Sequence, residues 1–201
     1  MKTLILINGK KRHGKDYLCD LLIKLLSTKY GITAARVAFA DPIKEIIADT
    51  FNVSLEELED FKNNGDVLYE GNDKLEISFR TILQRFGTEA MKKQFGENVW
   101  ADLGINSAIE IDKDVVIIPD FRFESEYNAA ITKACKDGAF NIITVKIYND
   151  DIVSTDTHAS ETELDSFNFD FKINNTAKPK LTHLTHGINA ISQLCCTSDC
   201  I

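Results

Sequence analysis

The first residues of the chain carry a phosphate-binding loop with one unusual position. Gly9 to Asp16 read Gly-Lys-Lys-Arg-His-Gly-Lys-Asp, which keeps the Gly-x-x-x-x-Gly-Lys spacing but places Asp16 where Ser or Thr is usual. The two glycines permit a turn in which backbone N–H groups converge on phosphate oxygens, and Lys15 is placed to reach the β- and γ-phosphates. The spacing therefore predicts binding of a nucleoside triphosphate.

The loop lies between a predicted strand and a predicted helix, which is the context that this motif requires. Thr3 to Ile7 is a short apolar run typical of a buried strand. Leu18, Leu21, Leu22 and Leu25 then recur at the spacing of one helix face. An ordinary strand–turn–helix with a basic turn is the alternative interpretation.

Asp16 has two interpretations that the sequence leaves open. A carboxylate here acts on phosphates through Mg²⁺ or its waters, because Mg²⁺ favours carboxylate and phosphate oxygens. Alternatively, Asp16 only stabilises the first helical turn against the helix dipole, by about 0.3–1 kcal/mol.

Composition excludes several classes of protein. The chain has 201 residues, a net charge of −8 and a pI near 5.0, which argues against a nucleic-acid-coating surface. No apolar run is long enough to span a membrane, and no signal-peptide pattern precedes the first strand. Five cysteines form no disulfide framework, so we expect a reducing, cytoplasmic compartment.

Strand and helix signals alternate along the chain, which predicts an α/β three-layer sandwich around a mostly parallel five-stranded sheet. We expect one domain over residues 1–201, with a helical substrate-binding region over about 52–112 and a short polar lid over about 149–165. Ser54 and Glu57 have capping-box spacing, and residues 63–78 read as a polar loop or insertion. The predicted strands after the first are 34–40, 115–118, 142–147 and 169–173.

Charged residues follow three of these strands. Gly9–Asp16, Asp41 and Asp120–Arg122 each come directly after a predicted strand. Ligands of parallel sheets bind outside the carboxyl ends of the strands, so these clusters are expected to converge. The alternatives are structural: an N-cap for Asp41 and a salt bridge for Asp120 and Arg122. Trp100, the one tryptophan, is either a core residue or a base-stacking platform.

These pieces belong to a longer ordered set. The set comprises Gly9–Asp16; Phe39-Ala40-Asp41-Pro42-Ile43-Lys44; Leu83-Gln84 with Gly87-Thr88-Glu89; Trp100; Pro119-Asp120 with Arg122-Phe123; and His158-Ala159-Ser160-Glu161. In this set and its order, the chain resembles the bacteriophage-type deoxynucleoside monophosphate kinases.

The resemblance implies transfer of the γ-phosphoryl group of ATP to a deoxynucleoside monophosphate, with Mg²⁺, in a P-loop fold like that of nucleoside monophosphate kinases. A homodimer is expected only from the resemblance. The implied ATP-binding residues are Gly9, Lys11, Arg12, Gly14, Lys15, Asp16 and Tyr17. The implied acceptor-binding residues are Asp41, Ile43, Lys44, Arg80, Gln84, Gly87, Thr88, Trp100, Asp120 and Arg122.

The expected chemistry is positioning and charge neutralisation. Lys15 and Mg²⁺ would neutralise the β- and γ-phosphates, while Arg122 and Arg80 are suited to clamp the acceptor phosphate. Arg12 would stabilise the transferring group from within the loop, and Asp16 would hold the metal, directly or through water.

Two departures from the family and two competing functions accompany this prediction. Tyr17 stands where the family usually has threonine, and the lid candidate contains no arginine or lysine. A phosphomevalonate-type kinase has a similar loop and a Ser-Glu pair before its last strand. A non-catalytic nucleotide-binding regulator is the alternative from another class.

Overall fold

The computed structural model describes residues 1–64, 67–70, 76–134, 140–152, 159–176 and 180–197. The chain divides into two compact units. The first comprises Met1–Phe39 and Ile105–Ile201, and the second comprises Ala40–Gly104.

A five-stranded sheet forms the centre of the first unit. The strands are β1 (Lys2–Asn8), β2 (Ala34–Arg36), β5 (Val115–Ile118), β6 (Phe140–Tyr148) and β7 (Phe171–Asn174), in the spatial order β2-β5-β1-β6-β7. Every neighbouring pair is parallel, which confirms the predicted α/β fold and sheet. The second predicted strand is shorter than expected, because it ends at Arg36 and the chain then continues to Ala40 without strand pairing.

Both faces of this sheet are buried. Along β1, Ile5 and Ile7 point to one face while Leu4 and Leu6 point to the other, and all four are at most 1% exposed. Helices α1 (Lys15–Tyr30) and α9 (Lys180–Thr197) cover the face of Ile5 and Ile7. Helix α7 (Glu124–Ala134) packs on β6, so helices lie on both sides of a continuous apolar sheet.

The second unit is mostly helical. Its helices are α2 (Asp41–Phe51), α3 (Leu55–Asn64), α4 (Phe79–Gln84), a π-helix (Arg85–Lys92), α5 (Lys93–Phe95) and the start of α6 (Val99–Glu110). Its core includes Ile43, Ile47, Leu58 and Phe79. The Ser54 capping box is confirmed, since the Ser54 N–H donates to Glu57 at 2.7 Å and the Glu57 N–H donates to the Ser54 hydroxyl at 3.1 Å.

Three local predictions need correction or fall outside the described residues. The expected loop at 63–78 contains the antiparallel strands β3 (Val67–Glu70) and β4 (Glu76–Ser78). Asp41 is the first residue of α2, whose N-cap is Ala40. Residues 153–158 of the predicted lid lie outside the described residues, and the rest includes α8 (Ala159–Thr162) and a 3₁₀-helix (Glu163–Ser166). No helix in the described ranges combines the length and the apolar character needed to cross a membrane.

Candidate functional site

The loop between β1 and α1 is held in a conformation that only glycine can take at two positions. Gly14 caps α1 in the left-handed region, with φ of 96°, where a Cβ would lie 2.5 Å from Nδ2 of Asn175. A Cβ on Gly9 would lie 2.6 Å from the carbonyl oxygen of Ile147. Arg12 also has a positive φ, of 67°. The result is a tight turn, directly before a helix N-terminus, of the kind that binds anions through backbone N–H groups.

The ends of β6 and β7 support this loop. Asn175 donates from its own N–H to the carbonyl of Tyr148 (2.7 Å) and from Nδ2 to the carbonyl of His13 (3.0 Å). His13 is only 6% exposed, and the backbone of Ile147 and Ile152 lies near its ring. Burial, followed by the charge of Lys15, lowers the pKa of His13, while these backbone groups oppose the shift, so the balance favours a neutral imidazole.

Lys15 places its ammonium group inside the loop. Its Nζ donates to the carbonyl of Gly9 at 2.5 Å and to that of Lys10 at 3.0 Å. Burial lowers the pKa of Lys15, and the nearby Arg122 charge lowers it further, while Glu161, Asp16 and Asp120 oppose this shift. Because β1 and β5 are parallel neighbours and Glu161 bonds to both Lys11 and Arg122, the loop and the residues after β5 lie at the same edge of the sheet.

The segment after β5 is fixed by contacts to two neighbouring strands. The side chain of Asn8 donates to the carbonyl of Phe121 at 2.9 Å, and the Phe121 N–H donates to Ile7 at 3.2 Å. Asp120 accepts a hydrogen bond from the N–H of Phe39 at 2.9 Å, just beyond β2. The positions of Asp120 and Arg122 are therefore set by main-chain contacts as well as by their own side chains.

A buried carboxylate lies directly behind Arg122. Oε2 of Glu126 accepts from the N–H groups of Arg122 (2.7 Å) and Phe123 (3.0 Å), which caps the start of α7. Burial raises the pKa of Glu126 to about 8; the charge of Asp120 adds to this effect, and the two N–H donors and Arg122 oppose it. Glu126 thus fixes the backbone that carries the Arg122 guanidinium.

The guanidinium of Arg122 contacts α8. Its Nη1 donates to Oε1 of Glu161 at 2.5 Å and to the carbonyl of Ser160 at 3.2 Å. The other oxygen of Glu161, Oε2, accepts from the backbone N–H of Lys11 at 3.1 Å. One carboxylate therefore joins the loop to Arg122.

Asp16 and Tyr17, at the start of α1, are open to solvent. The Asp16 side chain is 80% exposed, with Oδ1 3.6 Å from Nη2 of Arg36, and Tyr17 is 55% exposed. No group of three or more His, Cys, Asp or Glu side chains able to hold a metal occurs in the described part of the chain. A Mg²⁺ ion bound with a nucleotide needs only one or two carboxylates plus phosphate oxygens.

In the second unit, Trp100, Gly87 and Ile43 come together. Nε1 of Trp100 donates to the carbonyl of Gly87 at 3.0 Å, and its ring packs at 6.3 Å from that of Phe86. A Cβ on Gly87 would lie 2.8 Å from Cδ1 of Ile43, which is 6% exposed and belongs to the core. Ile43 therefore leaves no room for a side chain at Gly87.

Four other residues of this unit were predicted to bind the acceptor. Lys44 forms an ion pair with Glu59, with Nζ 2.5 Å from Oε1. Gln84 is exposed at the end of α4. The structure describes only the backbone of Arg80, in α4, and of Thr88, in the π-helix.

Sequence reasoning assigned no role to several residues that the structure places at the loop. Glu161 occurs in the matching His-Ala-Ser-Glu piece, which was the one signal available for it. Glu126 has cap spacing from Phe123, but phenylalanine is not a usual capping residue. Asn175 and His13 meet across 162 positions of sequence, so no local pattern indicates their contact.

Comparisons with known proteins add to this geometry. The family described as deoxynucleotide monophosphate kinase matches residues 56–186, a span that contains Trp100, Arg122 and Glu161 and begins after the loop. No curated protein compared with the chain matches it. Among solved structures, the APS kinase CysC of Mycobacterium tuberculosis, a cysteine-to-alanine mutant, is 12% identical with a TM-score of 0.47, over 96% of each chain.

Proposed function

The chain belongs to the deoxynucleotide monophosphate kinase family, and on this premise we propose that it transfers the γ-phosphoryl group of ATP to a deoxynucleoside monophosphate, giving the diphosphate and ADP. The main supporting observation is the position of Lys15 within a loop that lies at the same sheet edge as Asp120 and Arg122. The family match favours this acceptor over phosphomevalonate.

The triphosphate of ATP would bind to the loop. Backbone N–H groups between Gly9 and Gly14, the ammonium of Lys15 and the start of α1 supply a converging positive field. Arg12 is exposed within the loop, so its side chain is free to turn toward the transferring group. Phosphoryl transfer depends mainly on positioning and on neutralising charge on the phosphate oxygens, which these groups are suited to do.

Asp16 would hold Mg²⁺, through water or directly. Bound there, the ion would neutralise charge on the β- and γ-phosphate oxygens. The ion pair of Asp16 with Arg36 is long and exposed, so it would offer little resistance to a divalent cation.

The acceptor phosphate would be clamped by Arg122, whose planar guanidinium suits bidentate contacts with phosphate. Because a phosphate acceptor is already ionised, no strong general base is required, and Asp120 and Asp41 are better suited to orienting roles. The Trp100 N–H is already bonded to Gly87, so Trp100 would bind the base through its ring face. Lys44, Arg80, Gln84, Thr88 and Ile43 complete the proposed acceptor set.

A coupled ADP-release assay with the four deoxynucleoside monophosphates and phosphomevalonate tests this proposal. We expect turnover with at least one deoxynucleotide, and a fall of roughly 100-fold or more in Lys15→Met. The matched control is Lys24→Met, an exposed lysine on the same helix, which should retain activity. ADP formed only with phosphomevalonate would refute the proposed acceptor, and ATP binding without any turnover would indicate the regulator.

The proposal also covers the compartment, the ligands and the oligomeric state of the enzyme. We place the enzyme in the cytoplasm, acting on free nucleotides and not on nucleic acid or membranes, and we expect a homodimer. Light scattering at several protein concentrations tests the homodimer.

A further inference from the structure

The segment 159–166, called here the acidic segment, presents two carboxylates to the cationic groups around the loop. Glu161 has a side chain only 7% exposed, and it accepts hydrogen bonds from Arg122 Nη1 (2.5 Å) and from the N–H of Lys11 (3.1 Å). Asp165 lies 3.3 Å from Nζ of Lys10 and 3.4 Å from Nζ of Lys146. The segment therefore places negative charge among groups that suit phosphate.

The acidic segment is anchored independently of these carboxylates. Phe167, directly after it, packs edge-on against Phe121 at 5.7 Å and Tyr127 at 5.2 Å. Oε1 of Glu163 also accepts a hydrogen bond from the N–H of Glu124 at 2.9 Å. These contacts hold the backbone beside the loop, so Glu161 can change partners while the chain around it stays in place.

The donor set around Glu161 is one that a phosphate oxyanion also prefers. Arg122 donates to one carboxylate oxygen from its guanidinium, and Lys11 donates to the other from a backbone N–H of the loop. Both kinds of donor also bind phosphate oxygens. These two donors cannot serve Glu161 and a phosphate group in the same positions at once. Two anions that share the site would also repel each other strongly in surroundings of low exposure.

We propose that Glu161 is an internal anion that occupies a phosphate position between Lys11 and Arg122 and is displaced when a phosphate group of a substrate binds. The identity of that substrate rests on the proposed function. The phosphate belongs either to the donor triphosphate, because Lys11 lies in the loop, or to the acceptor, because Arg122 is the proposed clamp. In both cases the carboxylate keeps the Arg122 guanidinium and the Lys11 N–H hydrogen-bonded until the phosphate replaces it.

If Glu161 has only a structural role, its substitution should change the phosphate affinity in the opposite direction from that expected for displacement. If Glu161 only fixed Arg122, its removal would loosen the guanidinium and weaken phosphate binding. If it competes with phosphate, Glu161→Gln removes the competing charge and turns an amide N–H toward one of the donors, so phosphate binds more tightly. The sign of the affinity change thus separates the two roles.

The test is calorimetric titration of the full chain with inorganic tripolyphosphate and, separately, with deoxynucleoside monophosphates. We expect Glu161→Gln to bind one of these roughly tenfold more tightly than the wild type, because the phosphate no longer has to displace a charge-assisted hydrogen bond. The ligand that binds more tightly identifies the phosphate group that displaces Glu161. Glu163→Gln, a neutralisation in the same segment that keeps a side-chain oxygen to accept from the Glu124 N–H, should leave both affinities unchanged. Equal or weaker binding by Glu161→Gln in both arms would overturn the proposal.

A second measurement uses the wild type and does not depend on the variant folding. The carboxyl ¹³C resonance of Glu161 should move toward that of a solvated glutamate when the responding ligand binds, because its hydrogen bonds with Arg122 and Lys11 are broken. An unchanged resonance would count against displacement. Neither measurement requires turnover, so an inactive protein that shows both effects would refute the proposed function and leave this inference standing.

Discussion

Glu126 should make the stability of the protein depend on pH in an unusual direction for a carboxylate. Its side chain is buried, and its pKa rises from the ordinary 4.5 to about 8. The folded state therefore holds this proton more tightly than the unfolded chain does. The contribution of Glu126 to the free energy of unfolding is complete below pH about 4.5 and is lost as pH rises through about 8.

Glu126→Gln removes this titration while keeping the hydrogen bonds. Both N–H donors, those of Arg122 and Phe123, reach the same oxygen, Oε2, which the amide oxygen of glutamine can replace. The full displacement of the pKa corresponds to an upper value on the order of 5 kcal/mol. The variant should therefore gain stability relative to the wild type as pH rises from 5 to 8, by an amount of a few kcal/mol.

Urea unfolding followed by far-UV circular dichroism, at intervals between pH 5 and pH 8.5, measures this difference. Glu124→Gln is the matched control, because Glu124 is exposed in the first turn of the same helix, and its difference from the wild type should stay nearly constant. A constant difference for Glu126→Gln, or one that favours the wild type as pH rises, would show that the buried carboxyl is ionised without cost and would refute the reasoning.

Three further substitutions test the loop, the tryptophan and the clamp. Gly14→Ala should lower the free energy of unfolding in urea by about 1–2 kcal/mol because of the left-handed backbone, and by about 1–3 kcal/mol more because its Cβ clashes. Its control, Gly96→Ala, has a strained backbone but open space around the Cβ, so it should lose only about 1–3 kcal/mol. Trp100→Phe should lower the free energy of unfolding by about 0.5–1.5 kcal/mol in the same measurement, since it removes the hydrogen bond from Nε1 to the Gly87 carbonyl. Arg122→Lys should raise the KM for the deoxynucleotide more than the KM for ATP, because a single ammonium cannot make two parallel contacts; equal changes in both would contradict the clamp.

The sheet and the loop could be predicted from the sequence because their signals are local. Val115–Ile118 is a continuous β-branched run bounded by charged residues and Pro119, and the observed β5 has the same bounds. The loop spacing within Gly9–Asp16 likewise lies within eight consecutive residues. A buried parallel strand and a tight glycine turn need no distant partner to be recognised.

Part of the second unit could not be predicted because distant contacts override local preference there. Glycine usually weakens a helix, yet the chain continues through Gly87 as a π-helix. Trp100, thirteen residues later, donates to the Gly87 carbonyl, and Ile43 fills the space that a Cβ would need. Glycine at this position therefore reflects close packing, which sequence spacing alone does not show.

The arginine-free polar segment looked like a weakness for phosphate chemistry, but the described part of it changes that interpretation. Glu161 and Asp165 place negative charge on Arg122, Lys10 and the loop backbone, while the cations themselves lie on the loop, on β6 and after β5. A lid that carries arginines must bring its cations to the phosphates, whereas cations on a sheet edge are already in position and require only that their internal anions leave. With the proposed displacement of Glu161, the missing arginines and the added carboxylates are two parts of one electrostatic arrangement, in which the neutralising cations lie on the loop, on β6 and after β5.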